Sequence, residues 1–412
     1  MDKIFLMKRL SVVFILFLTL ISCSDKNEVK LKTGEWLASM DVSEDNKLPF
    51  NFTLTKNGNS YAMEIRNADE LVLIDEFEFY KDSIKIQMPI FEGYFAGTFS
   101  NEEIKGNFIK ESLDRVVPFT AKYGNNTRFE TKEKPEVNIS GLWEVNFNFD
   151  GESPYPAQGI FTQEDEKVTG TFRTNTGDYR YLEGVVDGST LKLSTFDGAH
   201  VFLFKARATD STLSGVFYSG NHSVENFKAK RNEAFELADS NTLTYIKEGY
   251  EKFAFTFPDA DGKLISLNDK EFKDKVVLVQ IMGTWCPNCL DETKFYVEYL
   301  KNNPNPDLKL VALAFEYAKT EENAIKGISR LKERIGVSYP ILLAQYGSSD
   351  KTLANDKLPM LNHVLSYPTT IYIDKKGGIR KIHTGFNGPA TIEKYEKFKM
   401  EFKETIKTLL QE

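Results

Sequence analysis

Cysteine is scarce in this chain, with three residues in 412, at positions 23, 286 and 289. Histidine is nearly as rare. His200, His222, His363 and His383 lie far apart, so a zinc site built on Cys286 and Cys289 would lack two suitably spaced ligands. No metal and no cofactor are expected. Excess positive charge is also missing. The net charge is −8 and the pI is near 5.4, which gives no reason to expect a nucleic-acid partner. Beyond the N-terminus no apolar run approaches membrane-spanning length, so the body of the chain reads as soluble.

The N-terminus carries an apolar run. Lys3, Lys8 and Arg9 precede a stretch from Leu10 to Ile21 that is broken only by Ser11 and Thr19. This is the layout of an export signal, and it is short for a membrane span. Leu20-Ile21-Ser22-Cys23 resembles a bacterial lipobox, which implies a signal peptide over 1–22 and lipidation of Cys23. The alternative is an ordinary signal with a chance cysteine. Ser24 at the next position implies sorting to the outer membrane, facing the periplasm of a Gram-negative cell envelope. Residues 23–33 then read as a tether, and the working cysteines lie outside the cytoplasm, where disulfides persist.

From Gly34 the pattern has period two. Phe50, Phe52 and Leu54 alternate with polar residues, as do Phe77 and Phe79, Ile84 and Ile86, and Trp143, Val145, Phe147 and Phe149. Half-buried antiparallel strands produce this alternation. The pattern is also duplicated. Gly34-Glu35-Trp36 recurs as Gly141-Leu142-Trp143, Ile104-Lys105-Gly106 as Leu213-Ser214-Gly215, and Phe119-Thr120-Ala121-Lys122 as Phe227-Lys228-Ala229-Lys230, at offsets of 107 to 109. Two all-β modules follow, over 34–124 and 138–231, joined by the charged stretch from Thr127 to Val137. Either each closes its own barrel or sandwich, or both share one sheet system. The opening Gly-x-Trp resembles the first strand of lipocalin-like barrels, which implies a cavity for an apolar ligand. The alternative is that Trp36 and Trp143 plug the module ends. Residues 232–251 read as a linker with some helical character.

Residues 252–412 alternate between strands and helices. A leading hairpin is followed by buried runs at Val276–Met282 and Leu308–Phe315, and by helical spacing from Glu321 to Ile335. A closing hairpin crosses Lys376-Gly377-Gly378, and an amphipathic helix carries Phe398, Phe402, Ile406 and Leu409. The fold class is therefore multidomain, with duplicated antiparallel β-modules followed by an α/β domain containing a mixed sheet. Trp285-Cys286-Pro287-Asn288-Cys289 falls at a strand-to-helix turn. Pro287 suits the first helical position, which puts Cys286 beside free backbone amides that favour a thiolate and Cys289 one turn deeper. Such a pair can exchange disulfides with other molecules. A static disulfide of this spacing closes too short a loop to staple a fold.

At these residues the chain resembles the thioredoxin superfamily, and more closely its exported TlpA/ResA-like thiol-disulfide oxidoreductases. Gly283-Thr284-Trp285-Cys286-x-x-Cys289 and Tyr367-Pro368-Thr369-Thr370 carry the likeness. It implies a thioredoxin-like fold, a cis peptide before Pro368 (or a trans proline opening an edge strand), and a substrate groove at Trp285, Pro287 and Tyr367. It also implies that Glu292 exchanges a proton with Cys289, where classical thioredoxins place an acid at the position of the neutral Gln280. The alternative for Glu292 is a first-turn acid facing the helix dipole. Expected partners are protein thiols and disulfides and a membrane electron donor such as a thiol-disulfide carrier. Reduction is the favoured direction, in cytochrome c maturation or disulfide repair. Two other functions compete with this one: a ligand-binding or assembly lipoprotein with an accessory redox tail, and a thiol peroxidase, whose Pro-x-x-x-Thr-x-x-Cys setting is absent here.

Mass spectrometry of the processed protein should find a diacylated or triacylated N-terminal peptide beginning at Cys23. An unmodified peptide beginning elsewhere overturns the lipobox reading.

Overall fold

The computed structural model describes residues 30–412. Cys23 and the signal region lie outside the described residues. Leu31, assigned above to the tether, is buried, and the Lys32 amide donates to Asn101 O at 2.9 Å. The chain is therefore pinned to the first module before its first strand begins.

Each module is an up-and-down meander whose first and last strands pair: Gly34–Asp41 with Arg115–Tyr123, and Gly141–Phe147 with Ser223–Arg231. The second module closes completely, because Tyr155–Glu164 pairs with Lys167–Thr174 and completes the ring. Phe147, Phe172, Phe204, Phe217 and Phe227 fill its axis, with ring centroids between 4.4 and 6.3 Å apart. The first module stays split. Glu70–Ile74 and Glu76–Tyr80 are consecutive in the chain yet lie at opposite edges of the nine-stranded sheet. Its core is completed from outside by Phe196 of the second module, whose ring lies 4.7 Å from Phe50 and 5.1 Å from Phe108. The two modules thus form two sheets with one shared hydrophobic boundary.

The Trp36 and Trp143 side chains are fully buried, and each indole donates to the carbonyl four residues earlier, Lys32 O at 3.0 Å and Ile139 O at 2.8 Å. Each is a core residue of its module, tied to the chain that leads into the first strand. Two expectations need correction. No residue of Glu76–Tyr80 is fully buried, because this strand borders the split, so Phe77 and Phe79 pack on Tyr61 instead of entering the core. Residues 232–251 contain no helix. They run as coil and tight turns and touch the α/β domain through the single Ile246–Leu361 bridge.

The α/β domain has a five-stranded sheet in the order Ile341–Gln345, Leu308–Phe315, Val276–Met282, Thr369–Ile373, Ile379–Thr384. The first three strands are parallel, and the last two continue antiparallel. Val276–Met282 is central and buried on both faces, which explains its apolar run, broken only by the hydrogen-bonded Gln280. The helices are Pro287–Asn302, Glu321–Ile335, Lys351–Lys357 and Glu393–Gln411. Phe295 of the first meets Phe398 and Phe402 of the last, at 5.2 and 4.9 Å.

Ionic contacts join the three bodies. Arg334 of the Glu321–Ile335 helix grips Asp75 with two bonds of 2.9 and 3.1 Å, and Arg330 reaches Glu76 at 2.6 Å, so this helix caps the split in the first module. Deeper in, Arg180 of the second module meets Glu70 of the first, Asp197 of its own barrel at 3.4 Å and Asp291 of the Pro287–Asn302 helix at 3.3 Å. It also donates to Pro287 O at 3.1 Å. Burial pushes the Glu70 and Asp291 carboxyls up against the pull of Arg180. Burial would raise Asp197 too, but His200 and Arg180 together hold it well below the usual range. Arg180→Met should cost about 3–5 kcal/mol, since it strands buried carboxylates without their counter-ion. Urea unfolding of the full chain measures this, and a loss under about 1 kcal/mol would show that the cluster is not needed for stability.

Candidate active site

The central strand Val276–Met282 delivers the chain to Gly283, Thr284 and Trp285, and the helix starts at Pro287. Pro287 occupies the first helical position, where its missing amide hydrogen leaves no bond unmade. Cys286 is the residue before it, in extended conformation, and acts as the helix cap: the Cys289 amide donates to Cys286 Sγ at 3.2 Å. The residue is 6% exposed, and its thiol donates to Tyr367 O at 3.3 Å. Cys289 is fully enclosed, one turn deeper. Burial pushes its thiol well up, and the neighbouring Cys286 sulfur pushes in the same direction, so Cys289 holds its proton more firmly than an ordinary thiol.

The structure brings together the residues singled out in 285–368. The Tyr367–Pro368 peptide is cis, and its loop faces Cys286. Trp285 covers the other side. Its indole donates to Phe315 O at 2.9 Å, and its ring meets Tyr367 edge-on at 5.5 Å. Glu292 is fully buried beyond the first helical turn, which holds no acidic residue, so it cannot be the exposed dipole partner considered above. Gln280 donates to its Oε2 at 2.8 Å. The Tyr296 and Thr370 hydroxyls lie 3.0 and 3.1 Å from its Oε1 and 3.0 Å from one another. Burial raises the Glu292 carboxyl to about 7, and these donors oppose the rise without cancelling it.

Sequence reasoning missed three features of the site. Glu316 follows the buried run Leu308–Phe315 and accepts from both the Thr284 amide and hydroxyl at 2.7 Å, holding the turn that leads into Cys286. Burial raises its carboxyl to about 7 as well. An acid at the C-terminal end of a buried parallel strand was the available signal, since such ends border functional clefts. The second barrel also reaches the site. Ser366, two residues before Pro368, donates to Thr176 O at 2.8 Å, and Asn288 packs on Gly177. Gly177 has φ +136°, and a Cβ there would collide with Asn288 Nδ2, so glycine is required. Finally, Arg180 holds Pro287 O, and no local sequence pattern marks it.

Folded, Glu292 and Glu316 keep their protons to about pH 7, whereas the unfolded chain releases them near 4.5. Between those values the folded state binds more protons, so stability falls as pH rises and the contribution is complete only below about 4.5. Glu292→Gln and Glu316→Gln should each remove roughly 2 kcal/mol of the stability lost between about pH 5 and pH 7.5. Urea unfolding at the two pH values gives the slope, and an unchanged slope in both variants overturns the assignment.

Comparison with known proteins places this geometry. The Redoxin family model matches residues 247–398. The thioredoxin-like protein YneN of Bacillus subtilis is 30% identical over 140 residues, which is 34% of this chain and 73% of that protein. The thiol-disulfide oxidoreductase ResA of the same organism is 27% identical over 152 residues, covering 36% and 74%. Among solved structures, a thiol-disulfide oxidoreductase from Bacteroides fragilis aligns with 36% of this chain and 99% of its own at 15% identity, with a TM-score of 0.27. The paired thiols and the similarity to YneN agree on the C-terminal domain: the chain belongs to the thioredoxin-like thiol-disulfide oxidoreductases, and its residues 247–398 match the Redoxin model.

Proposed function

We propose that Cys286 and Cys289 are the redox couple of a lipid-anchored reductant of protein disulfides, working in the cell envelope. The observation that carries this reading is the unequal pair itself. One sulfur caps a helix and retains a narrow opening beside a cis-proline loop, while the other is sealed behind it within electrostatic reach of the buried Glu292. The relatives named thiol-disulfide oxidoreductases support protein thiols and disulfides as partners.

The Cys286 thiolate attacks one sulfur of a client disulfide. A mixed disulfide forms, and the client's other sulfur leaves as a thiolate that takes a proton from water. Cys289 then passes its proton to the Glu292 carboxylate and attacks Cys286 Sγ. The internal disulfide forms, the client's second thiolate departs, and two electrons have moved from the pair to the client. A pKa of about 7 suits Glu292 to take that proton near neutral pH. Tyr367 and Pro368 form the face against which an extended client segment rests. A membrane thiol-disulfide carrier restores the dithiol. Lys3, Lys8, Arg9 and the Leu20–Cys23 motif support export and acylation at Cys23, with the body tethered to the outer membrane and facing the periplasm. The β-half acts as a positioning body for the redox domain. Aromatic rings occupy the axis of the second barrel and Phe196 fills the first, so the described residues give no support to a ligand-carrying role.

Cys289→Ser should accumulate client adducts on Cys286 that a small dithiol releases, and Cys286→Ser should accumulate none. Non-reducing gels and mass spectrometry of the adducts decide the matter. Equal adducts on both variants, or none on the first, would falsify the assignment of attacking and resolving sulfurs.

A further inference from the structure

A cleft of about 260 Å³ opens beside the dithiol, at the junction of both barrels and the redox domain. Trp285 and Pro287, the two chain neighbours of Cys286, form one wall, and Tyr317 adjoins them. The other walls come from barrel ends that nothing above has assigned a purpose. Lys110 and Arg115 lie on adjacent strands of the first module, and His200 and His222 belong to loops of the second.

The lining contains no carboxylate. Asp197, behind it, is engaged by His200 at 3.0 Å and by Arg180, and Glu92 accepts from the Ser112 amide at 2.9 Å while drawing on Lys110. Lys110 Nζ donates to Ala199 O. Burial and the nearby Arg115 and Lys110 charges lower His222 to about 4, so it is neutral at working pH. Arg115 is different. It is half-buried, and among the described residues no hydrogen bond or ion pair engages its guanidinium. A partly desolvated guanidinium with five free donors is a receptor for a carboxylate, which it can grip with two parallel bonds.

We propose that this cleft is a subsite for a carboxylate carried next to the sulfur that Cys286 attacks, with Arg115 as its main anchor and Lys110 in support. The inference rests on the reductant reading above and adds a substrate class to it: disulfides flanked by acidic groups. At about 260 Å³ the cleft falls just below the roughly 300–1,000 Å³ of pockets for whole drug-sized ligands, so it admits a side chain or the end of a small molecule. The same chemistry could come from an aspartate or glutamate of a client polypeptide or from a small carboxylated disulfide.

The test uses the pre-reduced full-length chain and three synthetic peptides. Each peptide carries one cysteine in a mixed disulfide with a neutral chromogenic thiol, flanked by Glu, Gln or Lys. Single-turnover rates should run Glu over Gln by about tenfold at low salt, with Lys slowest. Arg115→Gln should shrink the Glu-to-Gln ratio to within about twofold, and Arg115→Glu should reverse the order in favour of Lys, a gain that misfolding cannot imitate. Glutathione disulfide outpacing the Glu peptide would keep the subsite and assign it to a small disulfide. Reduction of all three peptides at similar rates, or an order unmoved in Arg115→Glu, overturns the proposal. If wild-type protein reduces none of them, the reductant reading fails first.

Discussion

Taking a guanidinium and three carboxylates out of water costs several kcal/mol per ion, and the chain recovers that cost only where all the partners meet in one place. Arg180 is that place. It answers Glu70 from one barrel, Asp197 from the other and Asp291 from the helix that starts at the redox motif. Its remaining donor holds Pro287 O, the carbonyl next to Cys286. The orientation of the dithiol is thereby tied to the barrels, and so are the cleft at their ends and the Gly177–Asn288 approach. Buried ion clusters add little net stability compared with apolar packing, but they accept only one geometry. Here that geometry fixes how a redox domain faces its own N-terminal half.

Around the sulfurs the chemistry is layered. The outer thiol is held by a backbone amide and a backbone carbonyl, groups that do not titrate. The inner thiol lies deeper, and the acid beside it is kept from full ionisation by burial. Gln280 is the polar residue of the central strand, and it is not idle. It orients Glu292 through a 2.8 Å bond from its amide. Glu316 adds a second buried acid, anchored to the turn that leads into Cys286.

The parts of this protein that repeat or alternate were legible in its sequence. Period-two phenylalanines announced the strands, the offset of 107 to 109 residues announced two modules, and the Cys-x-x-Cys turn after an apolar run located the sulfurs. What escaped depends on contacts between distant segments. Nothing near Phe196 says that it completes another module's core, and Arg128, in a stretch that reads as a charged connector, is buried and donates to Ser194 O at 3.2 Å. Ile341–Gln345 is too short to tell a buried strand from a helical turn, so it was not read as an edge of the sheet. The linker misled in the opposite way. Its composition permits helix, yet the segment folds into successive turns pinned at Ile246 by a bridge to Leu361.

The split first barrel has a consequence for how the chain matures. A polypeptide that emerges from a ribosome or an export channel presents residue 34 long before residue 196, and domains tend to fold as they emerge. The first meander can curl and pair its end strands as soon as Tyr123 is out, but the place later taken by Phe196 is then open, with Phe50, Phe95 and Phe108 bordering the gap. The earlier copy thus waits for the later one, and a nascent chain halted between them exposes a greasy notch that chaperones or neighbouring chains can seize. Two similar modules stand in one chain, and the aromatic ring that the second lends to the first joins their cores.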